Sequence, residues 1–204
     1  MLAYQTHAQI DCAIDTNETL DIDGITTIPA MLPISQEDCE ALPAWAQAFY
    51  DDGANFQWTR VETQTADQYN LTMVRVIGNF EGVSEPDING PLLLLHDLYN
   101  DGMSWMNRSD QTPAAIPVRL YQEGGFDVYI GNKRGTAPSR THETLDADVD
   151  ADYWNWSIDE VGANDIPAMI NNIMMLRAEE GLPAQKVTVI TNSVCSAEAL
   201  ITLS

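Results

Sequence analysis

The sequence predicts an α/β fold whose sheet is mainly parallel and begins with an antiparallel hairpin, and three observations carry that prediction. The short runs PLLLLH (91–96), FDVYIG (126–131) and KVTVIT (186–191) are apolar or β-branched at successive positions, as strands buried on both faces of a parallel sheet must be. Helical patterns fill the intervals between them, the alternation that builds such a sheet. Ahead of them, FQWTRVET and YNLTMVRVIG are separated only by turn residues and read as the two arms of a hairpin.

Taken in order, residues 1–35 are acidic, hold no Lys or Arg, and carry the turn formers Asp23-Gly24 and Pro29. They are read as an N-terminal extension that wraps a neighbouring surface or another subunit, with the main domain over 36–204. A short helix is expected from Ile34, capped by Ser35, with Glu37 and Asp38 at its positive end, Trp45 and Phe49 on one face, and an interruption at Pro43. In the second hairpin strand, alternation puts Leu71, Met73 and Arg75 on one face and Thr72, Val74 and Val76 on the other. NFEGVSEPDING is a turn-rich linker. A helix is expected between Pro113 and Glu123, stopped by Gly124-Gly125. Ser157 and Glu160 read as a capping box, and the helical pattern restarts at Asp165 with Pro167 in its first turn. Its expected buried stripe is Ile166, Ile170, Ile173 and Met174, and Trp154, Trp156 and Met169 are also read as core.

A formal charge of −22 on 204 residues, with nothing basic before Arg60, repels phosphate backbones and anionic headgroups. Nucleic acid is therefore excluded as an expected partner. No apolar run reaches membrane-spanning length, and MLAYQTHAQIDC has neither the basic start nor the apolar core of a signal peptide. Sequons at Asn17, Asn70, Asn107 and Asn155 lean toward a secreted or luminal glycoprotein, Asn155 being the poorest acceptor within YWNWS. In an oxidising compartment Cys12 and Cys39 can pair and tether the N-terminal segment; otherwise the three cysteines are small unpaired hydrophobes, with Cys195 a buried thiol.

The chemistry centres on VTVITNSVCSAEALITLS, where a β-branched run breaks at a small polar turn and helix formers follow. That is how a strand-to-helix elbow presents a nucleophilic serine, here Ser193. The pentapeptide Thr191-Asn192-Ser193-Val194-Cys195 stands where an α/β-hydrolase elbow has G-x-S-x-G, so both glycines are replaced. A further candidate, Leu145 to Asp152, spaces Asp146, Asp148 and Asp150 like the start of a calcium loop. Ala151 then replaces the required glycine and Ser157 the bidentate glutamate, so a solvated acidic loop and no metal or cofactor is expected. Arg134 and Arg140 are expected to pair with carboxylates inside so acidic a chain.

PLLLLHDL, GGFDVYIGNKRGTAPSRTH, YWNWSIDEVGANDIPAMI and the VTVITNS elbow, in that order and spacing, resemble the acid lipase family that includes gastric and lysosomal acid lipases. The likeness runs from Ile34 to Ser204 and implies the α/β-hydrolase fold, truncated after the nucleophile elbow. It implies Ser193 as nucleophile and the backbone N–H groups of Val194 and Leu98 as oxyanion-hole donors. Two departures stand out. His96-Asp97-Leu98 replaces His-Gly-Leu, putting a carboxylate where negative charge must develop, and the elbow differs at Thr191, Asn192, Val194 and Cys195. In this family the acid and histidine follow the serine, whereas His7, His96 and His142 all precede it.

Two functions follow as expectations. One is a non-catalytic lipase-like scaffold, a structural or interaction subunit of a larger extracellular assembly, in which a second chain or homologous subunit covers the sheet edge beyond the Ser193 strand. The other is one piece of a split acid-lipase-like esterase, hydrolysing lipid esters with a base supplied from elsewhere.

Overall fold

The hairpin is built by β1 (Phe56–Gln64) and β2 (Tyr69–Asn79), paired antiparallel from Phe56↔Asn79 to Gln64↔Asn70 with a bulge between Gln57 and Trp58. The computed structural model describes residues 36–42, 44, 45, 48, 56–79, 89–107 and 114–204. The expected extension over 1–35, with Cys12 and Asn17, and Phe49 lie outside the described residues. Thr65 closes the hairpin turn: its N–H donates to the Tyr69 carbonyl at 2.9 Å and its hydroxyl accepts from the Tyr69 N–H.

β2 next pairs antiparallel with β4 (Asp127–Gly131), and β4 lies parallel to β3 (Pro91–Leu95), which lies parallel to β6 (Thr188–Thr191). The order is β1-β2-β4-β3-β6, and a two-residue β5 (Thr141–His142) pairs with the turn end of β2. The sheet is thus mixed, an antiparallel hairpin leading into a parallel β4-β3-β6 unit.

Alternation sends each strand's side chains into two cores, one on each face. Val74, Val76, Leu92, Leu94, Val128 and Ile130 pack on one side with Trp45, Trp58 and helix α2 (Ile116–Gln122), after the short α1 (Gln36–Ala41). Leu71, Met73, Leu93, Leu95 and Tyr129 pack on the other with the helices that follow β4. PLLLL is buried at every position because it has a core on both faces. α2 stops where expected: Gly125 adopts φ 61°, and the Gly125 and Phe126 N–H groups donate to the carbonyls of Tyr121 and Leu120.

The capping box forms as read, with the Ser157 N–H and hydroxyl on Glu160 and the Asp159 N–H on Ser157. The helix does not restart at Asp165, however. The single turn α3 (Ile158–Glu160) continues through a π-helical segment, Val161–Asp165, into α4 (Ile166–Glu179). Gly162 in that segment lies against α5 (Cys195–Thr202), where a Cβ would come 2.5 Å from the Glu198 carbonyl oxygen. The wide π turn brings the two helices into backbone contact. The buried face of α4 also differs from the reading. It runs Ile166, Met169, Ile173, Arg177, while Met174 is 47% exposed, because Arg177 is drawn inward to a carboxylate on the sheet. Trp154, read as core, is 44% exposed.

That carboxylate is Asp127, 1% exposed. It accepts from Arg75 Nε at 2.9 Å, from an Arg177 guanidinium nitrogen at 2.9 Å and from the Tyr129 hydroxyl at 3.2 Å, joining β2, β4 and α4. Arg75 also holds Glu180. A buried carboxylate is tolerated only with this many partners, and removing it takes the carboxylate from the buried Arg177 and one of two from the half-buried Arg75. Asp127→Ala is expected to lower the unfolding free energy by about 3–5 kcal/mol, measured by urea denaturation.

Candidate functional site

β6 ends at Thr191 and α5 begins at Cys195, so three residues make the turn, and Ser193 within it is exposed at φ 53°. A serine in left-handed backbone is strained by about 1–3 kcal/mol, and such strain is what an elbow needs to hold its hydroxyl clear of strand and helix. The elbow therefore survives without either glycine. The Cys195 N–H donates to the Asn192 carbonyl at 3.2 Å, the Ser196 N–H to that of Ser193 at 3.0 Å, and the Thr191 and Ser196 hydroxyls meet at 2.9 Å. Cys195 is a free thiol with no exposure, and burial pushes its pKa up to about 12, which leaves it protonated and unreactive.

The two backbone donors inferred for the oxyanion hole do come together. The Leu98 N–H at 2.6 Å and the Val194 N–H at 3.3 Å donate to the same oxygen, Oδ1 of Asp97. The Leu98 hydrogen bond holds the Asp97 carboxyl below the usual carboxylate range, with Ser193, Val194 and the Lys133 charge adding to it, so the group is ionised at neutral pH. The two N–H groups thus converge on one point, and the oxygen at that point belongs to a carboxylate of the chain.

No described imidazole is free to serve Ser193. His96 Nδ1 donates to the Asp97 carbonyl at 2.8 Å, which leaves Nε2 to accept the Lys133 N–H at 3.1 Å. Burial depresses its pKa, and the Lys133 charge adds to this. His142 faces the Asp67 carbonyl with one ring nitrogen at 3.0 Å, and its other accepts from the Thr144 and Leu145 N–H groups. His7 lies outside the described residues.

Beside the elbow opens a pocket of about 560 Å³, walled by His96 to Asp101, Lys133 to Ala137, Trp154, Trp156, Val161 and Glu198. Lys133 and Glu198 form a buried ion pair at 2.7 Å on its floor, joining the loop after β4 to α5. Gly135, at φ 79°, packs on the indoles of Trp154 and Trp156, where a Cβ would approach to about 3 Å. Arg134 and Arg140 pair as expected, Arg134 with Asp165 and Asp67 and Arg140 with Asp148.

The acidic loop turns inward on itself. The Asp146 N–H donates to Asp150, the Asp148 N–H donates to Asp146, and Asp148 binds Arg140, so Asp146, Asp148 and Asp150 do not converge on one point. Among the described residues no three His, Cys, Asp or Glu side chains group as metal ligands, and no helix is long and apolar enough to cross a membrane. Asn107 is exposed and Asn70 is half-buried, its side-chain oxygen accepting from Gln64. Cys39 is fully buried; its expected pairing falls on Cys12, outside the described residues. Motif reading missed the Lys133–Glu198 pair and the aromatic pocket wall, since neither has a recognisable spacing. It did single out Asp97.

A strand order of β1-β2-β4-β3-β6, with a left-handed serine on the sharp turn from β6 into a helix, defines an α/β-hydrolase. No family model matches the chain. Its curated relatives are lipases: Triacylglycerol lipase 2 of Arabidopsis thaliana is 38% identical over 133 residues, 64% of this chain and 29% of the relative. Lipase member M of Homo sapiens is 31% identical over 152 residues, 73% and 34% of the two chains. Human Lysosomal acid lipase/cholesteryl ester hydrolase is 31% identical over 117 residues, 57% and 28%. The chain is thus a lipase-like α/β-hydrolase of the acid lipase family, matching its N-terminal part and spanning about a third or less of these relatives' length.

The neutral His96 has a measurable consequence. Its folded pKa is depressed below 6.5, so between that value and 6.5 the unfolded chain binds a proton that the folded chain does not. Its contribution to stability is complete above pH 6.5 and is lost as pH falls through the folded pKa. Urea denaturation across this window should give an unfolding free energy that declines by up to about 1.4 kcal/mol per pH unit from this residue, and His96→Gln should flatten the profile.

Proposed function

We propose that this chain is a lipase-like α/β-hydrolase scaffold without catalytic function, acting as a structural or interaction subunit of a larger extracellular assembly. The observation that carries the reading is the Asp97 carboxylate between the Leu98 and Val194 N–H groups. Ester hydrolysis needs that space for the oxyanion of a tetrahedral intermediate, and a resident anion both fills it and repels the charge that must develop there. Both described histidines are also committed elsewhere, which leaves the Ser193 hydroxyl without an imidazole base among the described residues. In the assembly a second chain or homologous subunit covers the outer edge of β6, whose residues are exposed or half-buried although its partner β3 is fully buried. Secretion is supported by the exposed Asn107 sequon and by a relative named for the lysosome.

A second reading keeps Ser193 as the nucleophile of a split acid-lipase-like esterase that takes its acid and base from outside the described residues and acts on a lipid ester. The retained φ 53° and the exposure of Ser193 favour it. A fluorophosphonate probe applied to the native assembly decides between the two. Intact mass should show no adduct; an adduct on Ser193 that Ser193→Ala removes would establish the esterase and end the scaffold reading.

A further inference from the structure

The sheet face that buries Val74 and Val76 changes character along the hairpin. Its cross-strand partners are Trp58↔Val76, Arg60↔Val74, Glu62↔Thr72 and Gln64↔Asn70, so the face turns from apolar to polar toward the turn. β5 sets Thr141 on the other side of Asn70. Over this polar end opens a cavity of about 510 Å³, with Leu42 and Pro138 among its walls. Asn70 lines it and begins the sequon Asn70-Leu71-Thr72. Its side-chain Oδ1 accepts from Gln64 at 3.1 Å, and its Nδ2 makes no hydrogen bond among the described residues. We propose that Asn70 carries an N-linked glycan whose first sugar residue lies in this cavity.

The proposal rests on the secreted reading and adds a modified residue to it. In the transfer, Asn70 Nδ2 bonds to the anomeric carbon of an oligosaccharide carried on a polyprenyl pyrophosphate. The bond from that carbon to the pyrophosphate oxygen breaks, the amide gives up one proton, and the polyprenyl pyrophosphate leaves. The step precedes closure of the hairpin, because in the fold Thr72 is buried and its hydroxyl donates to the Pro138 carbonyl at 2.7 Å. Once attached, the glycan leaves Oδ1 free to keep its hydrogen bond from Gln64. A sugar ring offers hydroxyls at its edge and C–H groups on its faces, which suits a cavity that combines Arg60, Glu62 and Gln64 with Leu42 and Pro138. The position also bears on assembly. β2 lies beside the outer strand β1, and β6 forms the opposite edge of the sheet, so a glycan here screens the hairpin and leaves the β6 edge to a partner chain.

Two measurements on the protein isolated from its own source test this. Glycopeptide mass spectrometry should find Asn70 occupied, and a bare Asn70 overturns the proposal. Peptide N-glycosidase should then release the Asn70 glycan at least about tenfold more slowly from the native protein than from the urea-denatured protein, since a seated sugar is reached only after local opening. Release at equal rates from the two states overturns the placement in the cavity and with it the proposal. Recovery of the protein from the surrounding medium tests secretion separately, so a secreted chain that is bare at Asn70 ends this proposal and leaves the secreted reading standing.

Discussion

Arg134 has no exposed side-chain surface, and segments distant in sequence meet on it. Its backbone N–H and Nε donate to the two oxygens of Asp165 at 2.9 and 2.7 Å, its terminal nitrogens donate to Asp67 in the hairpin turn at 2.7 and 2.9 Å, and its guanidinium stacks 4.0 Å over Tyr69. A guanidinium can be buried here because its planar fork meets two carboxylates and a ring at once. What the arrangement fixes is the loop after β4. From that loop the N–H of Lys133, the chain neighbour of Arg134, reaches His96, and His96 reaches the Asp97 carbonyl, so two hydrogen bonds connect the loop to Asp97.

The same economy of positive charge shapes the whole domain. Of the eight Lys and Arg residues among the described residues, seven make ion pairs with carboxylates, and three of those cations, Lys133, Arg134 and Arg177, are nearly or fully buried. In a chain with 31 acidic residues, cations are the scarce partner, and the fold places them where a buried carboxylate would otherwise be stranded. Asp127 and Asp165 are those carboxylates. Asp165 stands just ahead of α4 and holds Arg134 of the loop after β4, and Asp127 on β4 holds Arg177 near the other end of α4, so charge pairing and placement of that helix are one constraint.

The alternation in YNLTMVRVIG and the unbroken apolarity of PLLLL were legible because each strand has one pattern and one cause: a core on one face or on both. The elbow was legible for a similar reason, since a turn between strand and helix has a local signature even without glycine. The inward turn of Arg177 was not. Helical periodicity ranks residues by apolarity and assigned the stripe to Met174, whereas the position is decided by Asp127, fifty residues away. The orientation of Asp97 belongs to the same class. Its identity announced a conflict with oxyanion chemistry, but the direction of its side chain depends on an N–H from the turn before α5, 97 positions away.

The Asp97 contacts also bear on how the turn into α5 persists without glycines. Ser193 holds strained backbone, and Thr191 and Cys195 add a Cβ on either side where strand and helix approach. Without an acceptor within the chain, the Leu98 and Val194 N–H groups would contribute little to holding the turn. Here the ionised Asp97 accepts from both, and a charged acceptor roughly doubles the strength of each bond. Asp97 thus ties the β3 loop to the turn where Ser193 holds left-handed backbone, and its charge-assisted hydrogen bonds offset part of that strain.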